Sequence, residues 1–284
     1  MCILFIHTGG PSVGGYRLIL ATNRDEYYAR PATKAAPWKE DSSVIGGRDM
    51  EPGREGGTWL AACPARRRVA ALLNLPGEAS HARDITQTPA NTIEAGNISR
   101  GSIVSNFVLG NDSTEKYLEE FHKNGHEYTS FNVITIEIKD TSSTVYQYSN
   151  FDDRTRSYED PGVLGFGNSS PEVPLQKVVA GKLKFEEIVN RCTSKDGSKE
   201  MLVNELKTLL QCKDRHLPDA ELARRIHDAP EALASIFVHV PQKSYGTRTH
   251  TIILVDAEGN FDFYEWTMVL GEENWAETHI HRTL

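Results

Sequence analysis

No Cys-x-x-Cys pair occurs in this chain, and its 284 residues hold only four cysteines, Cys2, Cys63, Cys192 and Cys212. Disulfide-stapled secreted domains are far richer in cysteine, so a disulfide framework is excluded. No stretch approaches the roughly 18 apolar residues that a membrane span requires. The opening Met1-Cys2-Ile3-Leu4-Phe5-Ile6-His7 lacks a basic flank, and its apolar run is too short for a signal peptide. The expected setting is therefore reducing and cytoplasmic, with mitochondrial or secretory-pathway association left open. The ten histidines show neither His-Glu-x-x-His nor a Cys/His zinc spacing, so no metal ligand is assigned. Gly46-Gly47-Arg48 and Gly56-Gly57 lack the spacing of a phosphate loop. A formal net charge of -8 disfavours nucleic acid as a partner, because a phosphate lattice repels such a surface. The dense basic run Arg66-Arg67-Arg68 reads as a solvated turn.

What is present is a globular composition, 39% apolar and 25% charged. Apolar runs predict strands over 2–7 and 17–22, joined as a hairpin. Residues 27–57 lose all periodicity and are rich in Pro, Gly and charge, which predicts a binding loop or lid. Further strands are expected near 58–62, 69–74, 131–138, 144–148 and 163–166. Residues 91–124 read as helical, with breaks at Gly101 and Gly110. Pro174 opens a helix running to Cys192, in which Leu175, Val178, Val179, Leu183, Ile188 and Val189 follow a helical period. A second helix carries Met201, Leu202, Leu206, Leu209 and Leu210. Strands return at 235–240, 249–255 and 261–266, the last two flanking the turn Asp256–Asn260. Hairpins dominate and no repeat or linker interrupts them, so one α+β domain over 1–284, with antiparallel sheets and segregated helices, is expected. His279 and His281 read as part of a ragged, solvated tail.

Two clusters carry chemistry. The side chain of Cys2 is small enough for Met1 to be removed, which would leave a thiol and an α-amine on one residue. Both groups titrate near neutral pH, and a terminal amine can take a nucleophile's proton. Thr22-Asn23-Arg24-Asp25-Glu26 lies where the second strand stops, beside Cys2 across the hairpin. A carboxylate there can hold a terminal ammonium, and an asparagine can donate to an oxyanion.

Met1-Cys2 followed by Asn23-Arg24-Asp25-Glu26 resembles the signature of the NRDE family, the transport and Golgi organisation 2 proteins. The likeness extends through Ala21–Tyr28 with Arg30-Pro31, Glu55–Leu60 and Tyr245–Asp256. More distantly, the same features resemble the N-terminal nucleophile hydrolases of the bile-salt hydrolase and penicillin acylase type. That resemblance implies a four-layer αββα sandwich of antiparallel sheets. It also implies Cys2 as nucleophile, Asp25 as the group orienting the amine, Asn74 as an oxyanion donor, Asn168 as the site asparagine after a Gly-rich strand end, and Arg248 as a late site arginine. Those hydrolases place an arginine immediately before the Asn-x-Asp motif, where this chain has Thr22. The nearest arginine is Arg24, two residues further on. The pocket is thus expected to outlast the hydrolysis.

The family resemblance implies haem binding and haem trafficking as a chaperone, with haem as cargo rather than resident cofactor. Asn23, Arg24, Glu26 and Arg248 would then face the ligand, an arginine pairing with the propionates. Cys63-Pro64 resembles a haem-regulatory dipeptide but is expected to be a chance pairing. The alternatives are a cysteine amidohydrolase or acyltransferase using Cys2, or lipid and acyl-coenzyme A handling in the same cleft. Haem or another small amphipathic ligand is the expected partner, with transient contact at organelle membranes.

Overall fold

The computed structural model describes residues 1–10, 15–77, 99–271 and 274–284. In chain order the described strands and α-helices are β1 (Ile3–His7), β2 (Tyr16–Tyr27), β3 (Ala36–Pro37), β4 (Ile45–Gly46), β5 (Leu60–Cys63), β6 (Arg68–Asn74), α1 (Gly101–Leu109), α2 (Thr114–Asn124), β7 (Phe131–Ile138), β8 (Ser143–Ser149), β9 (Arg154–Tyr158), β10 (Val163–Phe166), α3 (Gln176–Cys192), α4 (Lys199–Leu210), α5 (Ala220–Arg225), β11 (His239–Val240), β12 (Tyr245–Asp256), β13 (Asn260–Met268) and β14 (Trp275–Thr283). The expected helical stretch over 91–98 lies outside the described residues.

The strands form two antiparallel sheets, so the fold is α+β as expected. The first runs β10-β1-β2-β12-β13-β14, with β11 on β12; the second runs β3 to β9 in sequence order. Alternation along each strand decides what each face meets. Leu4, Ile6, Leu18, Leu20, Ile253 and Val255 of the first sheet pack on Leu60, Val69, Ala71, Ile134 and Ile136 of the second. The other face of the first sheet, with Ile3, Phe5, Ile19 and Ile252, packs on Val178, Phe185, Leu202 and Leu206 of α3 and α4. The outer face of the second sheet meets α1 through Ala61, Ala70, Val104 and Phe107, and α2 through Phe131, Val133, Leu118 and Phe121. Both faces of the inner strands are buried, which is why they read as unbroken apolar runs rather than as alternating ones.

The helix starts that matter for the site are fixed by capping. Asp219 accepts from the Leu222 amide at 2.9 Å, capping α5, and from the Gln176 amide at 2.8 Å, which anchors the first turn of α3. Gly181 lets α3 lie directly on the sheet, since a Cβ there would meet the Phe5 ring at 2.3 Å. Gly101 lets the start of α1 sit on the loop ahead of β5, where a Cβ would come within 2.8 Å of the Gly57 Cα.

Several expectations are corrected. The Thr22–Glu26 segment does not follow a strand; it lies inside β2, whose pairing continues to Tyr27 against β12. The 27–57 loop contains the two short strands β3 and β4. Only His239 and Val240 of the expected 235–240 strand pair with β12, because Glu231–Ala234 forms a 3-10 turn just before. The C-terminal tail is the strand β14, and His279 and His281 both bond Asp262 Oδ1, at 2.8 and 3.0 Å. Arg68 is no solvated turn residue either: it donates to the carbonyls of Phe107, Gly110 and Asp112 behind α1.

Candidate functional site

β1 and β2 pair with Ile3 opposite Asn23, which carries Cys2 to Arg24 and Asp25 at the end of the ladder. The Asp25 amide donates to Cys2 Sγ at 3.4 Å, and the thiol lies 3.8 Å from the Asp25 carbonyl. Burial pushes the Cys2 thiol up, partly offset by the nearby terminal ammonium. Asp25 itself is buried. Its Oδ1 accepts from Thr247 Oγ1 at 2.6 Å, while its Oδ2 has no hydrogen bond. That free oxygen faces two cations: the Met1 ammonium at 3.5 Å and Lys177 Nζ at 4.0 Å. The Met1 ammonium also donates to the Tyr245 hydroxyl, which lies 3.3 Å from the Asp25 carbonyl. Burial, together with the Asp25 charge, pushes the Tyr245 phenol far up.

Lys177 was not among the sequence candidates. It sits in the first turn of α3, fully buried, and donates to the Met1 carbonyl at 2.9 Å and the Ser235 carbonyl at 3.1 Å. Burial pulls its ammonium down and Asp25 opposes that pull. The signal was a lysine four residues before Gly181, on the face α3 turns to the sheet.

Two cavities meet at this point, and both are lined by Cys2, Asp25, Glu26 and Asn74. The smaller, about 80 Å³, is basic: Arg24, Arg30, Arg54 and Arg100 face Glu26 and Asp49 across it. Arg24 is buried with its guanidinium 4.1 Å from the Trp59 ring centroid, and its ion pair with Glu26 is a loose 3.9 Å. Arg30 is held by Asp49 at 2.6 Å. Burial, with Arg54 and Arg30 nearby, pulls Arg100 down to about 10. Arg30, Asp49 and Arg54 come from the 27–57 segment, which therefore does line a cavity. The larger cavity, about 330 Å³, is walled by Met1, Pro76, Ile226, Pro230, Leu233, Val240 and Tyr245.

The remaining candidates divide. Asn74 is exposed on both cavities, and Asn168 lines the larger one. Asn168 Nδ2 donates to the Asn74 carbonyl at 2.6 Å, and its own Oδ1 is buried without a partner. Asn23 faces away from both cavities. Its amide donates to the Leu210 and Ile236 carbonyls at 2.8 and 2.9 Å and its oxygen meets His250 Nδ1 at 2.6 Å. Arg248 also lies outside both cavity walls, at a register shift of β12, donating to the Tyr27 and Arg30 carbonyls. Thr22, in the place of the expected arginine, spends its hydroxyl on the Ile3 carbonyl at 2.7 Å. Cys63 is fully buried, with Arg66 donating to its sulfur at 3.1 Å. Among the described residues, no three of His, Cys, Asp and Glu gather to hold a metal ion. No described helix is long and apolar enough to cross a membrane.

The family described as Transport and Golgi organisation 2 matches residues 1–269. Transport and Golgi organization protein 2 of Drosophila melanogaster is 39% identical over 99% of this chain and 98% of its own length. The chain belongs to the transport and Golgi organisation 2 family. The human and bovine homologues of that protein are each 34% identical, again over 99% of this chain and 98% of their own lengths. The likeness to this family thus spans both sheets and every residue that lines the two cavities.

Proposed function

We propose that the protein binds and carries a small amphipathic anion in the cleft at Cys2, with haem as the cargo that the family resemblance implies. The observation that carries this reading is the division of the cleft. One half holds four arginines against three carboxylates, Asp25, Glu26 and Asp49, the other is mostly apolar, and Cys2 stands where they join. An amphipathic anion has the same two halves: acid groups to pair with guanidinium, and an apolar body that gains from leaving water. For haem, the propionates would meet Arg54 and Arg100, and the Cys2 thiolate would be the iron ligand. We take the stack of helices, sheet, sheet and helices as the αββα sandwich of the N-terminal nucleophile hydrolases, put to binding. The relatives' name, with its reference to the Golgi, supports transient contact with organelle membranes. Lipid or acyl-coenzyme A handling would use the same two halves.

The test is a haem titration followed at the Soret band. We expect a saturable shift, lost or displaced in Cys2→Ala, with affinity at least tenfold weaker in Arg54→Gln/Arg100→Gln. Absence of any saturable shift in the wild type would overturn the haem assignment.

A second reading, a cysteine amidohydrolase or acyltransferase, has one observation in its favour. Asp25 Oδ2 is aimed, without a hydrogen bond, at the terminal ammonium. With Met1 removed, the Cys2 amine would take the thiol proton as sulfur attacks an acyl carbon. Turnover of acyl amides by wild type and not by Cys2→Ala would establish it.

A further inference from the structure

Met1 occupies its place as a bound ligand would. Its ammonium is held by Asp25 Oδ2 at 3.5 Å and by the Tyr245 hydroxyl. Its carbonyl oxygen accepts from Lys177 Nζ at 2.9 Å. Met1 is 5% exposed, and its side chain belongs to the apolar cluster that Leu175, Val178 and Leu233 also build. These are three separate recognition elements: a carboxylate for an α-ammonium, a cation for an acyl oxygen, and an apolar hollow for a side chain. A buried lysine and a buried aspartate are costly to keep unless each has a partner, and here the backbone of Met1 partners both.

A residue as small as cysteine in second place allows Met1 to be removed. Removal leaves a cavity next to the open apolar half of the cleft, still faced by Asp25, Tyr245 and Lys177. Each of those groups loses a partner when Met1 leaves. The acyl carbon of any group seated there would lie where Cys2 was once bonded to Met1.

We propose that the seat of Met1, once vacated, is a binding subsite for an L-α-amino-acyl group with a free ammonium and a medium-sized apolar side chain. The chemical class is that of amino-acid amides and esters and of peptide N-termini. Asp25 and Tyr245 take the ammonium, Lys177 takes the acyl oxygen, and the hollow selects the side chain. The seat opens on the apolar half and shares Asp25 with the arginine-lined one; a cationic probe without acid groups tests it separately from haem binding.

The test uses the full chain beginning at Cys2, released from a cleavable tag, and a matched chain that retains Met1. The probe is L-methioninamide, titrated calorimetrically. We expect saturable one-to-one binding to the Cys2-terminal chain and none to the Met1-bearing chain. N-acetyl-L-methioninamide and D-methioninamide should bind at least tenfold more weakly. Lys177→Met and Tyr245→Phe should each weaken binding several-fold to tenfold, in protein whose circular dichroism matches wild type. No saturable binding to the Cys2-terminal chain, or equal binding of the acetylated probe, overturns the proposal. So does equal binding to the Met1-bearing chain, or complete retention of Met1 in protein purified without a tag.

Discussion

Thr247 donates its hydroxyl to one oxygen of Asp25 at 2.6 Å, and that bond fixes where the other oxygen points. The second oxygen is left to two buried cations, the Met1 ammonium and Lys177. The arrangement is thus a buried charge cluster in which, among the described residues, Asp25 is the only carboxylate within 4.0 Å of either cation.

Replacing Asp25 by Asn removes that counter-charge while leaving the shape. Breaking a buried pair typically costs about 3–5 kcal/mol, because one charge is left stranded. We expect a loss of that order in urea unfolding. The double variant Asp25→Asn/Lys177→Met should recover part of it, since no stranded cation then remains. A single variant within about 1 kcal/mol of wild type would contradict the cluster, given how much a stranded buried charge normally costs.

Asn23 supplies a contrasting case. It ties the end of α4 and the Ile236 carbonyl to β2 and bonds His250 behind the sheet. Asn23→Ala orphans those buried groups, at about 1–3 kcal/mol for each one left unpaired. We expect a clear drop in Tm with haem affinity unchanged in the folded fraction. Weaker haem binding at unchanged Tm would place Asn23 in ligand recognition after all.

Much of this was legible in the sequence, and the reason differs by residue. Cys2 and Asp25 were brought together correctly because a hairpin converts sequence order into adjacency. The sequence pattern ends β2 at Thr22 because the second half of the strand is polar; that half holds its extended form through pairing with β12, more than 200 residues away. Lys177 was hidden by the apolar period around it. The arginine-lined half was unreadable for a plainer reason. Arg24, Arg54 and Arg100 come from three separate segments, and nothing local in any of them announces the other two. Asn23 and Arg24 are neighbours on one strand and point to opposite faces, so only Arg24 lines the cavity.

The Cys2 thiol offers a kinetic test. Burial raises its pKa above the ordinary value, so less thiolate is present at neutral pH than in a free cysteine. Peptide mapping after iodoacetamide treatment should show Cys2 alkylated well below the glutathione rate at pH 7.5. The rate should still be climbing above pH 9. Arg24 favours the thiolate by its charge, so Arg24→Gln should slow the reaction further. Alkylation faster than glutathione at pH 7.5 would show an activated thiol instead.

Acid should expose the cost of His250. This imidazole is fully buried, stacked 4.5 Å from Trp275, with Nδ1 on Asn23 and Nε2 unpartnered. Burial first, and then the Lys207 charge, pull its pKa from 6.5 down to about 3. Between those two values the unfolded chain takes up a proton that the folded chain refuses. Stability is therefore complete above pH 6.5 and falls as pH drops toward about 3. Each unit of displacement corresponds to about 1.4 kcal/mol, so the loss amounts to several kcal/mol. His7 and His216 are held down by burial as well and share the window. His250→Gln should accordingly shrink, without abolishing, the fall in urea midpoint between pH 6.5 and 5, where carboxylates contribute little. An undiminished slope in that variant would mean that His250 is already charged in the folded protein.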